Sequence, residues 1–407
     1  MNPPAGSGPA AFPLPPDTMP SGLPPVDADS AAHSRDMEAH LLQRIAMAPG
    51  GFLPFEQWMA QALYAPGLGY YAAGNTKFGA SLPAGDFTTA PEMTPVFGEV
   101  LARQVAHVLQ MTGTDAVLEF GAGTGALAAS LIPALQELGI DVKYHILEVS
   151  ADLAERQAQR LAPWASAVQW LDALPTAFKG CVIANEVLDA MPAALFRWNE
   201  TGELMELGVQ ARPGETPPFS WAERPAGAEL SAAIGQRMPA LPGYRSEINL
   251  QAEAWMRQLG SWLEAGVALL IDYGFPQREY YHPQRITGTL MCHFRHHSHD
   301  QALVLAGIQD ITAHVDFTAM ADAALEGGLD VLGYTNQARF LLNAGLPEVL
   351  QNHMNAPDST ARQATLSAVQ KLVSEAEMGE LFKVLAVGRG VEPPLTGFLR
   401  GDKRDTL

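Results

Sequence analysis

Residues 116–125 read AVLEFGAGTG, a short apolar run that meets an acid and then opens into three closely spaced glycines. The apolar run fits a buried strand. The residues after it fit a helix over 124–138, where Leu127, Leu131 and Leu135 recur every fourth position. Glycines at a strand-to-helix turn let the backbone approach a ligand closely, and the helix N-terminus favours an anionic or carboxylate group. The turn alone does not name the ligand, because Gly121-x-Gly123-x-x-Ala126 also satisfies the relaxed dinucleotide pattern.

Further strands are expected at 143–149 (KYHILEV), 168–171, 181–184 (CVIA) and 267–273 (VALLIDY), with a last one near 381–387 and a helix over 151–161. Strands alternating with helices make a parallel sheet covered on both faces, so the expected class is α/β, a Rossmann-like doubly wound core over 113–274. Short β-like runs broken by Gly and Pro place an inserted hairpin region near 195–245. Residues 275–378 are too long for a simple connection and are expected to form a substrate-binding lobe. Residues 379–407 then carry the final core strand and a tail. Residues 33–112 read as a helical and loop region over the cofactor site, with helices from about Asp36 and over 55–63. The Pro-, Gly- and Ala-rich stretch 1–32 has too few large apolar residues to offset its ordering entropy and is expected to be a disordered tail.

Three acids stand at successive strand ends. Glu119 lies two residues before Gly121, where a carboxylate meets the cationic amino end of a methionine moiety. Glu148 closes the next strand, where an acid accepts from both ribose hydroxyls, and Asp172 follows the third, placed to accept from an adenine amino group. With Gly121, Gly123 and Gly125 they point to S-adenosyl-L-methionine; the plainer alternative is that each acid caps a following helix. A second group, Asn185-Glu186-Val-Leu-Asp189, ends the fourth strand. Ligands bind outside the carboxyl ends of such strands. Asn185 is therefore read as a cofactor contact. Glu186 and Asp189 are read as carboxylates that hold a guanidinium or ammonium and help it lose a proton. The alternative is a helix cap at Asp189 and a solvated Glu186.

Net charge is −19, from 25 basic and 44 acidic residues. Phosphate neutralisation supplies much of nucleic-acid affinity, so DNA and RNA are disfavoured as partners and a protein is expected. No apolar run approaches the ~20 residues that span a bilayer. Cys181 and Cys292 cannot build a disulfide framework, which makes a reducing cytoplasm the expected location.

Several segments together resemble the MidA-like methyltransferases, which include the mitochondrial complex I assembly-factor arginine methyltransferase. They are GDFTTAPEMTPVFGEVLA (85–102), LEFGAGTGALAASLI (118–132), LEVSADLAERQ (147–157), ANEVLDAMP (184–192), LIDYG (270–274), GTLMCHFRHH (288–297), DITAHVDF (310–317) and MGELFKVL (378–385). The resemblance spans roughly 52–390. It implies a class I methyltransferase fold, binding of S-adenosyl-L-methionine and, from the mitochondrial relative, arginine methylation on a complex I subunit. Ser130 departs from the aspartate common in the family.

Asp86 and Glu92 lie in the loop-like GDFTTAPE segment and are expected to line the cofactor or substrate mouth, with a locally capped turn as the alternative. Asp310 and His314 are i, i+4 neighbours if helical and alternate if extended; either way they are read as substrate contacts. The His293–His299 cluster matches no metal-binding spacing, and no metal is expected.

Overall fold

Val117 and Leu118 are neighbours on the strand Ala116–Phe120, so their side chains take opposite faces, yet both are fully buried. Only a sheet covered on both sides allows that. The computed structural model describes residues 14–15, 18–73, 89–355 and 358–407. The chain divides into two units, one drawn from Tyr71–Met191, Leu250–Glu279 and His314–Leu407, the other from Met1–Tyr70, Pro192–Asn249 and Tyr280–Ala313.

The first unit holds an eight-stranded sheet in the order β15-β16-β10-β5-β2-β3-β4, with β14 beside β10. These strands are β2 (Ala116–Phe120), β3 (Lys143–Leu147), β4 (Val168–Leu171), β5 (Phe178–Asn185), β10 (Leu263–Phe275), β14 (Val315–Asp316), β15 (Asp330–Asn336) and β16 (Phe382–Arg389). From β10 to β4 every pairing is parallel, while β16 runs antiparallel to both β10 and β15. Val117, Ile183 and Leu269 pack with Val100, Leu101, Leu127 and Leu131 of α4 (Pro95–Thr112) and α5 (Ala126–Glu137). Leu118, Val182 and Leu270 pack with Met256, Trp262, Phe317 and Met320 of α8 (Leu250–Trp262) and α10 (Phe317–Glu326). At the α4–α5 crossing a Cβ on Gly98 would stand 1.9 Å from Ser130 Oγ, so both positions must stay small. The Ser130 hydroxyl bonds back to Leu127 O at 3.0 Å. The unit is completed by α3 (Ala90–Met93), α6 (Ala151–Arg160), α11 (Gln337–Asn343), α12 (Leu346–Met354), α13 (Ser359–Val373) and α14 (Met378–Leu381).

The chain starts this sheet at β2, lays β3 and β4 to one side, and crosses back to place β5 on the other side of β2. That reversal opens a crevice at the carboxyl ends of β2 and β5, the point where doubly wound sheets bind ligands.

The second unit carries an antiparallel sheet, β1-β7-β6-β9 with β8 on β7, from β1 (Leu53–Pro54), β6 (Ala194–Trp198), β7 (Leu204–Ala211), β8 (Phe219–Pro225) and β9 (Arg245–Ile248). The β6–β7 turn closes on Asn199, whose Oδ1 accepts from Thr201 N at 3.0 Å and Glu203 N at 2.8 Å. A smaller sheet joins β11 (Met291–Phe294) to β12 (His297–His299) and β13 (Asp310–Thr312). The unit's helices are α1 (Ala28–Met47), α2 (Phe55–Tyr64) and α7 (Ala228–Arg237), and α9 (Gln277–Tyr280) lies at the border between units.

The fold departs from the sequence expectations in three places. Helix α1 begins at Ala28, inside the stretch expected to be a tail, because Asp27 caps it by accepting from Ser30 N at 2.9 Å. Residues 275–378 form no separate lobe: Tyr280–Ala313 join the unit with the inserted strands, and the residues from His314 onward join the core unit. Within them β15 adds a strand to the main sheet that was not anticipated.

Candidate active site at the carboxyl edge of the parallel strands

All three loop glycines have left-handed backbones, with φ of 59°, 54° and 80° at Gly121, Gly123 and Gly125, a region that L side chains rarely occupy. A Cβ on Gly121 would meet Val187 Cγ2 at 3.2 Å, and one on Gly125 would rest 3.5 Å from Gln157 Cγ. A Cβ on Gly123 would meet nothing within 4 Å. The loop is thus packed against the protein on either side and open at its centre.

Glu119 is 3% exposed and accepts a hydrogen bond from Tyr144 Oη at 2.8 Å. Burial pushes its carboxyl up to about 7, against the pull of that tyrosine and with a further push from the Glu148 charge. Glu148 sits just past β3. Its Oε1 accepts from Ser150 N and its Oε2 from Gln157 Nε2, both at 3.0 Å. Burial raises its pKa and these donors oppose the rise. Glu92, on α3, accepts from the Thr124 hydroxyl of the glycine loop and from Arg160 Nη1 at 3.1 Å, so it buttresses the loop. Asp172 follows β4 at the same edge and is exposed.

The second group forms a corner at the end of β5. Asn185 Nδ2 donates to Glu186 Oε1 at 3.1 Å. Glu186 has φ 54°, the left-handed region, and its N–H donates to Ile271 O at 2.9 Å. Such a backbone in a non-glycine residue persists only where its surroundings hold it, commonly at functional sites. Asp189 is 5% exposed. Its Oδ2 accepts from the Tyr273 hydroxyl, while the Oδ1 of Asn185 is buried with no hydrogen-bond partner among the described residues. Burial pushes Asp189 up to about 6, with the tyrosine and the backbone N–H groups of Ala190 and Asp189 opposing. Asp272 of β10 braces the corner from below: its Oδ2 accepts from Leu188 N at 3.0 Å and Asp189 N at 3.2 Å. Burial and the Asp189 and Glu186 carboxylates hold Asp272 well above the usual carboxylate range.

The structure therefore gathers Glu92, Glu119, the glycines, Glu148, Asn185, Glu186 and Asp189 in one unit along the strand ends. Asp310 lies on β13 in the other unit, opposite His293 in register. His314 opens the next segment of the core unit, where its ring stacks on Phe275 at 5.4 Å and meets the edge of Tyr273 at 5.0 Å. The two share no helix. Asp86 lies outside the described residues. Three residues that the sequence reading missed hold the site together: Gln157, Asp272 and Tyr273. The signal was present, since LIDYG puts an acid at the end of an otherwise apolar buried strand. Among the described residues no group of three or more His, Cys, Asp or Glu side chains is disposed to hold a metal ion.

A mostly parallel sheet with a left-handed glycine loop at its switch point, an acid near the end of the first strand and another just past the second is a Rossmann-like cofactor-binding core, the architecture of class I methyltransferases. Residues 100–335 match the family described as "Putative S-adenosyl-L-methionine-dependent methyltransferase". The chain belongs to this family: it is an S-adenosyl-L-methionine-dependent methyltransferase. It is 47% identical to a Burkholderia thailandensis protein described as a "likely methyl transferase", whose crystal structure has S-adenosyl-homocysteine bound. That match covers 95% of this chain and 100% of the other, with a TM-score of 0.88. Among named relatives, protein arginine methyltransferase NDUFAF7, mitochondrial, of Danio rerio is 27% identical, with 88% of each chain covered. The Homo sapiens protein of that name is 26% identical, with 86% of this chain and 83% of the other covered.

The residues present fit the cofactor. The open cradle over Gly123 admits backbone approach, Glu148 keeps acceptor capacity beyond its two donors, and Glu119 is a buried carboxylate that lacks a cation.

Proposed function

We propose that the chain methylates an arginine side chain of a protein. One observation carries this reading: among the described residues, at the corner after β5 Asn185 Oδ1 is buried without a donor, and the carboxylate of Asp189 is buried at the same corner with no cation. Buried acceptors left unpaired are costly, and a planar cation with several N–H groups satisfies two at once. The acidic set of Glu186, Asp189 and Asp272 favours a positive group there. The names of the relatives, protein arginine methyltransferases at 26–27% identity, support the same substrate class. The family resemblance makes a respiratory complex I subunit the first partner to test.

In this reading Glu119 faces the cofactor's ammonium, Glu148 accepts from the ribose hydroxyls, and Asp172 stands toward the adenine. The cofactor supplies an electrophilic methyl group when bound. The chain's own work is to align the attacking nitrogen and to receive the proton that nitrogen sheds as it takes the methyl. In this reading the Asp189 carboxylate receives it.

The test is incubation of the purified protein with tritiated S-adenosyl-L-methionine and lysate of its source organism. A labelled protein band that yields methylarginine on hydrolysis is expected. Label confined to small molecules would overturn the protein substrate, and methyl-lysine would overturn the arginine.

The Glu119 assignment makes a separate prediction. Burial pushes the Glu119 carboxyl up to about 7 and an adjacent ammonium favours the carboxylate, so cofactor binding near neutral pH should release a proton from it. Calorimetry in phosphate and in Tris should then give different apparent enthalpies, and Glu119→Gln should abolish the difference. Equal enthalpies in the wild type would remove Glu119 from the ammonium site. The sign for stability follows. The folded state binds this proton more tightly than the unfolded chain, so the unliganded protein loses stability as pH rises from the ordinary carboxylate range through about 7.

A further inference from the structure

Helix α6 buries a single side chain, and that side chain is a glutamine. At such a position an apolar residue is the ordinary choice, because a buried amide is costly unless its donors and acceptor are met. Gln157 is 0% exposed and meets them with three well-formed bonds. Its Nε2 donates to Gly123 O at 2.8 Å and to Glu148 Oε2 at 3.0 Å, and its Oε1 accepts from Trp170 Nε1 at 2.9 Å. The indole of Trp170 has only a donor, so it fixes which end of the amide faces β4 and turns the NH2 toward the loop and the carboxylate. The same side chain lies beneath Gly125, where an added Cβ would come within 3.5 Å of its Cγ.

We propose that Gln157 is a positioning residue for the cofactor. One amide sets the carbonyl side of the glycine loop and one oxygen of the Glu148 carboxylate, and Trp170 sets the amide. Glu148 Oε1 is held by Ser150 N and Oε2 by Gln157, so the plane of the carboxylate is fixed before a ligand arrives. The inference rests on the assignment of Glu148 to the ribose made above.

A double-mutant cycle on S-adenosyl-homocysteine binding, measured by calorimetry on the full chain, tests both and keeps them apart. Glu148→Gln alone reports on the ribose assignment, with a loss of roughly 30- to 100-fold expected, as for a lost charge-assisted bond. Gln157→Leu alone should lose about tenfold. Because Gln157 acts in part through Glu148, the double variant should bind at least threefold better than the product of the two losses predicts. A purely structural role for Gln157 multiplies the losses instead, and that result overturns the proposal while leaving Glu148 in place. Unchanged affinity in Glu148→Gln removes the ribose assignment and this inference with it. Trp170→Phe gives a second route should Gln157→Leu fail to fold. It frees the amide to turn, and a loss of about three- to fivefold is expected, again shared with Glu148→Gln. No loss in a folded Trp170→Phe variant counts against the proposal.

Discussion

Gly123→Val is expected to abolish cofactor binding in a protein that still folds. The backbone at Gly123 has φ 54°, and a β-branched residue there costs about 1–2 kcal/mol of strain, tolerable for a domain of this size. The protein itself does not oppose the side chain, since nothing lies within 4 Å of where the Cβ would stand. The valine would therefore project into the open centre of the loop, where the loop backbone must approach the ligand. A loss of more than 100-fold in S-adenosyl-homocysteine affinity, about 2.7 kcal/mol or more, should be read by calorimetry, with an unaltered circular dichroism spectrum. Gly139→Ala is the control: at φ 80°, with nothing within 4 Å of the added Cβ and past the far end of α5 from the loop, it carries backbone strain of the same kind and should leave affinity unchanged. Wild-type affinity in a folded Gly123→Val variant would place the cofactor elsewhere.

Asp189→Asn should reduce methyl transfer by about 10²- to 10⁴-fold, the range of a lost general base, with S-adenosyl-homocysteine affinity within a few fold of wild type. The amide keeps the shape and still accepts from the Tyr273 hydroxyl, but it cannot take a proton. The pH profile of the labelling reaction supplies the sign. Asp189 is held up to about 6 by burial, and it must be ionised to accept, so the rate should rise as pH climbs through about 6 and level above it. The hydrogen bond from Tyr273 holds that value down, so Tyr273→Phe should move the rising limb to higher pH. The groups facing Asp189 are Asp272 and Tyr273 of β10 and the neighbouring Glu186, with His314 against the tyrosine ring. A variant that labels within threefold of wild type would take Asp189 out of the proton path.

The parts of the fold legible in the sequence were those whose burial is written in contiguous residues. AVLEF and KYHIL were bounded to within two residues because their apolar runs end at an acid or a glycine turn. β15 escaped because DVLGYTN carries a glycine and polar ends; it is a strand through its pairing with β16, a partner about fifty positions away. The candidate site divides in the same way. Glu119, Glu148 and Asp189 follow from position at strand ends. Gln157 does not, because a glutamine on an amphipathic helix reads as a solvated residue until the fold shows that α6 turns it inward. Asp272 stands 83 residues from the corner it braces, and no local pattern links the two. The first helix, expected from about Asp36, starts at Ala28 for a smaller reason: Asp27 stands in a Pro-rich stretch that reads as a tail rather than as a cap.

The two units are woven from alternating pieces of the chain, with three segments each. For a polypeptide emerging in order from the ribosome, this arrangement postpones completion. Leu53 and Pro54 must wait for Gly208 and Val209 before they have a ladder to join. β10 is flanked on one side by β5, made some eighty residues earlier, and on the other by β16, made more than a hundred residues later. Until that last neighbour arrives, β10 presents a long apolar edge, the kind of surface on which nascent chains associate wrongly. Synthesis of this enzyme should therefore place a standing demand on chaperones, which no fragment cut at a single point in the chain could relieve.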